Sequence, residues 1–215
     1  MSAPDPYLAP GRYIDSDHPA VRAFAREHAQ GADARERAVA LYYAVRDGIR
    51  YNPFLDFSTD APFRASSCLA AGQGFCVGKA ALLAASARAE AIPARVGFAD
   101  VRNHLTTPQL RARMGSDLFV YHGYTELLLE GRWVKATPAF NLTLCQRFRV
   151  RPLEFDGRED SIFHPFDAED RQHMEYVRDR GSRADVPAEE ILQVFRETYP
   201  ALYGLGRDAA RENFG

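Results

Sequence analysis

Cysteine is scarce in this chain: three residues, Cys68, Cys76 and Cys145, among 215. The number is odd and no two stand in a C-x-x-C spacing, which argues against both a zinc knuckle and a disulfide framework. An excess of one charge is lacking too. With 27 Lys and Arg against 29 Asp and Glu, the formal charge is −2, so neither nucleic acid nor an anionic membrane surface is expected as a partner. No apolar run approaches the roughly 20 residues of a membrane span. Residues Met1–Pro10 lack the basic-then-apolar pattern of a secretory signal. No internal repeat or low-complexity tract is present. No cluster of His, Cys and carboxylates has ligand spacing, so no metal or cofactor is expected. These absences predict a soluble protein of a reducing compartment, expected to be cytoplasmic. A hydrophobic content of 46% and a charged content of 26% are ordinary for a globular chain. The length suffices for a sizeable core, as one domain with an extension or two small ones.

What is present is organised around Gly72–Arg95. Gly72 and Gly74 let the backbone turn sharply, and Cys76 follows. Ala80, Leu83, Ala84, Ala87 and Ala91 then recur at helical spacing, and Pro93 ends the run. Cys76 is therefore expected in the first turn of a helix, where unpaired N–H groups and the dipole favour an anion. A thiol there should lose its proton more easily and become a nucleophile. From this stretch alone, Cys76 reads equally as a buried small hydrophobe.

Around this centre, Met1–Gly11 reads as a loosely held arm. A helix is predicted from His18-Pro19 to about Gln30 with Asp17 as N-cap, and a second from Ala34 to Asp47. Ile49-Arg50-Tyr51 starts an extended piece, and Asn52–Ser67 reads as loop. Arg95–Val101 is a predicted buried strand, followed by a polar excursion with a short helix near Pro108. Leu118–Glu130 is a long strand, Glu130-Gly131 a tight turn and Arg132–Thr137 the returning strand. Phe140–Pro152 is irregular, with Arg147, Arg149 and Arg151 on a solvated edge. A loop packed by Phe163, His164, Pro165 and Phe166 leads to two further helices, Glu169–Arg180 and Ala188–Thr198, the second capped by Asp185-Val186-Pro187.

A cysteine nucleophile needs a base, and histidine titrates in the right range. His18 and His28 belong to a helix surface, His104 to a polar loop, and His164 and His173 to the C-terminal part. His122, on the long strand, is the interior candidate, although any one of these reads by default as a satisfied histidine. A two-residue turn at Glu130-Gly131 pairs Leu128 with Trp133, Glu126 with Lys135 and Tyr124 with Thr137. The opposite charges of Glu126 and Lys135 support that register. Thr137 then becomes the diagonal neighbour of His122 on one face, about 7–8 Å away.

These pieces together resemble the transglutaminase-like superfamily, whose fold is that of papain-like cysteine enzymes. The likeness runs through Gly74-Phe75-Cys76, the alanine-rich helix, Ala91-Ile92-Pro93-Ala94-Arg95-Val96-Gly97, His122-Gly-Tyr124-Thr-Glu126, and Gly131-Arg-Trp133 to Pro138. It covers about half the chain, from near Tyr51 to about Asn141. It implies Cys76 as nucleophile and His122 as base. In the family an Asp usually stands just before the proline of the return strand; here it is Thr137. A hydroxyl can accept from imidazole Nδ1–H but carries no charge to stabilise an imidazolium. Asn141, four residues on, is a second neutral candidate, as papain-like enzymes use Cys-His-Asn.

The expectation is an α+β papain-like or transglutaminase-like core, a central helix on an antiparallel sheet. Residues 1–157 would form that core with its N-terminal helices, and 158–215 a helical C-terminal extension packed on it. The expected chemistry is cysteine-dependent acyl transfer on an amide of a peptide or protein substrate. Hydrolysis is favoured over glutamine acyl transfer; the alternative from another class is a silent peptide-binding module. The Cys76 N–H and the Gln73 amide are candidate oxyanion donors. Phe75 and Tyr124 are candidate cleft walls.

Overall fold

A computed structural model describes residues 5–103, 114–162 and 174–199. Helices α1 (Pro19–His28) and α2 (Ala34–Gly48) come first. Strand β1 (Arg50–Tyr51), a 3-10 turn (Ala61–Phe63), helix α3 (Ala65–Ala71) and strand β2 (Gln73–Gly74) lead to helix α4 (Cys76–Ala89). Then come β3 (Ala94–Asn103), β4 (Leu118–Leu129), β5 (Arg132–Ala136), α5 (Leu142–Phe148), β6 (Met174–Arg183) and α6 (Ala188–Thr198). The last four strands form an antiparallel sheet in the order β5-β4-β3-β6, and β1 and β2 make a separate parallel pair.

The fold is built around α4, whose residues from Cys76 to Arg88 are all buried. It packs against α1, α2 and α3 as well as against β3 and β4. The alanines of this helix are small enough to let four layers of neighbours approach at once. The periodic apolar positions of the sequence therefore mark only part of what is buried. Two cations on α4 stay inside because each finds carbonyl oxygens. Lys79 Nζ donates to the carbonyls of Arg46 (2.8 Å) and Ile49 (2.5 Å) at the end of α2. Burial pulls this ammonium down to about 7, while the negative end of α2 works against that loss. The Arg88 guanidinium donates to the carbonyls of Ala9, Ala94 and Ala184.

The hairpin keeps the expected register: Glu126 pairs with Lys135 and Leu128 with Trp133. The charge partner differs. Glu126 bonds Arg95 and Ser182 instead, and Lys135 stands over the Tyr124 ring. Arg95 lies on the neighbouring strand directly opposite Glu126, and is thus as close by pairing as Lys135 is. Val134 and Ala136 turn to the core side.

Several expectations are corrected. Residues 174–180 of the predicted helix Glu169–Arg180 belong instead to strand β6, which runs on to Arg183. Pairing along β3 from Val96 to Asn103 overrides the helical propensity of that charged segment, and Gly181, at φ 74°, suits a strand irregularity. Helices α3 and α5 replace predicted loop and irregular chain; both are only seven residues long, too short for a clear period. The N-cap of α1 is His18, whose ring accepts from the Ala20 N–H, rather than Asp17. The arm is not loose from Asp5 onward: Tyr7 accepts from the Ala94 N–H and stacks edge-on with Trp133. Arg147, Arg149 and Arg151 are exposed as expected. The predicted helix near Pro108, the loop of Phe163–Phe166 and His104, His164 and His173 lie outside the described residues.

Asp185 closes the arm onto the C-terminal part. Its carboxylate accepts the backbone N–H groups of Arg12, Tyr13 and Ile14 instead of capping α6. A Cβ at Gly11 would stand 2.6 Å from its Cγ, so a larger residue there would displace this carboxylate. Asp185→Ala strips three backbone donors of a charged acceptor and is expected to cost about 2–3 kcal/mol. Urea unfolding should show this as a lower midpoint at an unchanged slope.

Candidate active site

Cys76 is the first residue of α4, and the cap residue Phe75 offers no side-chain hydrogen bond to the helix. The N–H groups of this turn are therefore free for another acceptor. The backbone N–H groups of this turn and of Gly123 on β4 favour the thiolate. Burial nevertheless outweighs them and pushes the thiol up to about 11. This corrects the expectation of a more acidic cysteine: the first turn supplies the donors, but the dehydrated surroundings penalise the thiolate more. Cys68 and Cys145 are also unpaired and buried, and burial raises them to about 12 and about 11.

Gly123 brings the strand to the helix. A Cβ there would lie 2.9 Å from Val77 Cα, against backbone that cannot swing aside. Two residues on, Thr125 Oγ1 donates to the Ala80 carbonyl at 2.8 Å. One face of β4 thus rests on α4 through Gly123 and Thr125. By register His122 pairs with Ala99 and shares the opposite face with Tyr124, which lies over Gly97, and with Glu126. Cys76 opens α4, and the next residue, Val77, is the one pressed against Gly123, which follows His122. His122 is buried, and burial alone lowers its imidazole to about 4.

Thr137 follows β5 and is buried. Its hydroxyl donates to the Ile162 carbonyl at 2.9 Å, and Ile162 packs beside Tyr124 and Ala99. That puts the hydroxyl on the His122 side of the sheet with its lone pairs still able to accept. Asn141 is engaged elsewhere: Oδ1 accepts from the Tyr51 N–H (3.1 Å) and Nδ2 donates to Thr143 Oγ1 (2.6 Å). Gln73 Oε1 accepts from Arg50 Nη2 (2.7 Å) and Asn52 Nδ2 (3.3 Å), which directs the amide nitrogen the other way. Phe75 sits in an aromatic cluster with Phe57, Phe63 and Phe195. Tyr124 is fully buried.

Sequence reading missed two neighbours of the thiol. Tyr51 and Tyr199 both lie close enough for an ionised Cys76 to raise them further, beyond the large effect of burial. The Tyr199 hydroxyl accepts from the Val120 N–H and donates to the Leu118 carbonyl, each at 2.7 Å. Nothing in local sequence links Tyr199 to Cys76; the link exists only because α6 carries it back across β4. Among the described residues no group of three or more His, Cys, Asp or Glu could hold a metal ion, and no helix is long and apolar enough to cross a membrane.

The depressed imidazole has a consequence for stability. Folded, His122 stays neutral down to about 4; unfolded, it takes a proton near 6.5. The unfolded state therefore binds more protons between these values, and stability falls as pH drops through that window. The loss approaches roughly 3 kcal/mol from this group. Urea unfolding of wild type and His122→Gln at pH 4.5 to 7 should show a shallower pH slope in the variant.

The model of the transglutaminase-like superfamily matches residues 22–138. No curated protein matches the chain. Among solved structures, the chain is similar to a putative cysteine protease from Cytophaga hutchinsonii, at 19% identity and TM-score 0.47, covering 83% of this chain and 53% of that one. It is also similar to a putative protease from Parabacteroides distasonis, at 16% identity and TM-score 0.39, covering 55% of this chain and 23% of that one. The chain thus spans about half the length of the first of these and a quarter of the second. The family match runs from α1 through the cysteine helix and the histidine strand to the end of the hairpin, over half of the chain, and this protein belongs to the transglutaminase-like superfamily.

Proposed function

We propose that the protein is a cysteine-dependent enzyme that opens an amide bond of a peptide or protein, with Cys76 as nucleophile and His122 as base. The observation that carries this reading is the thiol on the first turn of α4, a turn pressed against Gly123, the residue after His122, with no room for a Cβ between them. Both partners rest neutral at pH 7, the thiol near 11 and the imidazole near 4. The reaction is therefore general-base catalysis rather than attack by a preformed thiolate. As sulfur bonds to the carbonyl carbon, its proton passes to the His122 imidazole. The tetrahedral oxygen is stabilised by the Cys76 N–H and the outward amide of Gln73. Collapse expels the amine with the proton from His122 and leaves a thioester. Water, deprotonated by the same ring, releases the acid; a second amine in place of water would give transamidation. Thr137 accepts from the ring and orients it without contributing charge.

A second reading, a catalytically silent peptide-binding module, is favoured by one feature, the hydroxyl of Thr137 where the family usually has a carboxylate. In either reading α6, with Tyr199 bonded to β4 at its end, builds one wall.

Brief, limiting iodoacetamide treatment at pH 7 followed by peptide mapping separates the two. Enzyme chemistry predicts that Cys76 labels ahead of Cys68 and Cys145, and that His122→Ala abolishes the lead. Equal labelling of all three, or Cys76 last, would reject the nucleophile.

Thr137→Asp tests the orienting role. A carboxylate facing the Ile162 carbonyl is repelled by it and should cost about 1–3 kcal/mol. The same charge favours the imidazolium, so the His122 pKa should rise from about 4, read by NMR titration of the ring. An unmoved titration would remove Thr137 from the site.

A further inference from the structure

The strand carrying His122 is irregular immediately before that residue. Ala99 pairs with His122 and Val101 with Phe119, so Asp100 alone stands opposite Val120 and Tyr121. Such a bulge bends a strand and re-aims the side chains that follow. Tyr121 takes a left-handed conformation, φ 53°, which a bulky L residue adopts only under constraint.

The constraint is visible. The Tyr121 N–H donates to Asp100 Oδ1 at 3.0 Å. Asp100 is in turn gripped side-on by Arg180, with Nε to Oδ1 at 2.6 Å and Nη2 to Oδ2 at 2.9 Å. Arg180 is itself the extra residue of a second bulge, because Phe98 pairs with Gly181 and Ala99 with Asp179. Its guanidinium lies 4.3 Å from the centre of the Tyr121 ring, whose hydroxyl bonds Glu190 on α6. One buried carboxylate on β3 therefore couples an irregularity on β6 to the one that leads into His122. Three donors already sit on Asp100, so it acts through the backbone rather than on the reacting atoms.

We propose that Asp100 and Arg180 are positioning residues that set the direction of His122 by locking Tyr121 in its left-handed turn. The proposal rests on the Cys76–His122 reading for its chemical meaning, although the lock itself is a statement about geometry. It also gives this site a carboxylate anchor on β3 in a hairpin whose own residue, Thr137, carries no charge.

The test uses protein labelled with 13C-histidine, and compares wild type with Asp100→Asn, which keeps an acceptor for Tyr121 but loosens Arg180, and with Arg180→Met. His122→Ala identifies the His122 ring signal by its disappearance. The proposal expects that signal to move in both variants while those of His18 and His28 stay, and the rate of Cys76 alkylation at pH 7 to fall about tenfold to a hundredfold. Should either variant fail to fold, Arg180→Lys, which keeps the charge but not the fork, must shift the signal in the same direction. An unmoved His122 signal beside a lowered melting temperature overturns the proposal and leaves the pair a mere brace. A moved signal with wild-type alkylation in every variant, His122→Ala included, upholds the lock and sinks the Cys–His chemistry instead.

Discussion

The first turn of α4 meets β4 at Gly123 with no space for a methyl group between them, and the rest of the site depends on that contact. It is possible because α4 is almost entirely small residues on the sides where helices and sheet converge. A larger residue at 123 would hold the strand off the first turn of α4. Cys76 and His122 are both buried, and burial is what raises the thiol and lowers the imidazole.

That decision runs against the usual argument from helix position. A helix N-terminus and nearby backbone N–H groups favour a thiolate, yet burial prevails and leaves Cys76 near 11. Histidine is driven the same way, to about 4. Both groups therefore rest neutral at pH 7. In the proposed mechanism, charge then forms only when a substrate carbonyl receives the sulfur.

Much of this was legible in the chain. The cysteine helix announced itself through Gly72, Gly74 and Pro93, and the hairpin register through the turn at Glu130-Gly131 and the charges of Glu126 and Lys135. Local rules captured these because the determinants are neighbours in sequence. They failed where the determinant is remote. Residues 174–183 have helix-favouring charges but lie along an open edge of β3, and pairing wins. Asp185 reads as a helix cap and serves instead to gather N–H groups some 170 positions away. The preference of Glu126 for Arg95 over Lys135, and the approach of Tyr199 to the thiol, likewise follow from strand order and from the path of α6, neither of which any local window contains.

The placement of β6 also bears on how the chain is made. Until residues 174–183 leave the ribosome, the β3 edge that they cover is bare, and an uncovered edge is where nascent chains associate wrongly. Arg180 and Asp185 arrive in that same late stretch, so the arm and the bulge both wait for it. Synthesis must therefore run past residue 183 before β3, which pairs with the histidine strand on one edge, is covered on the other.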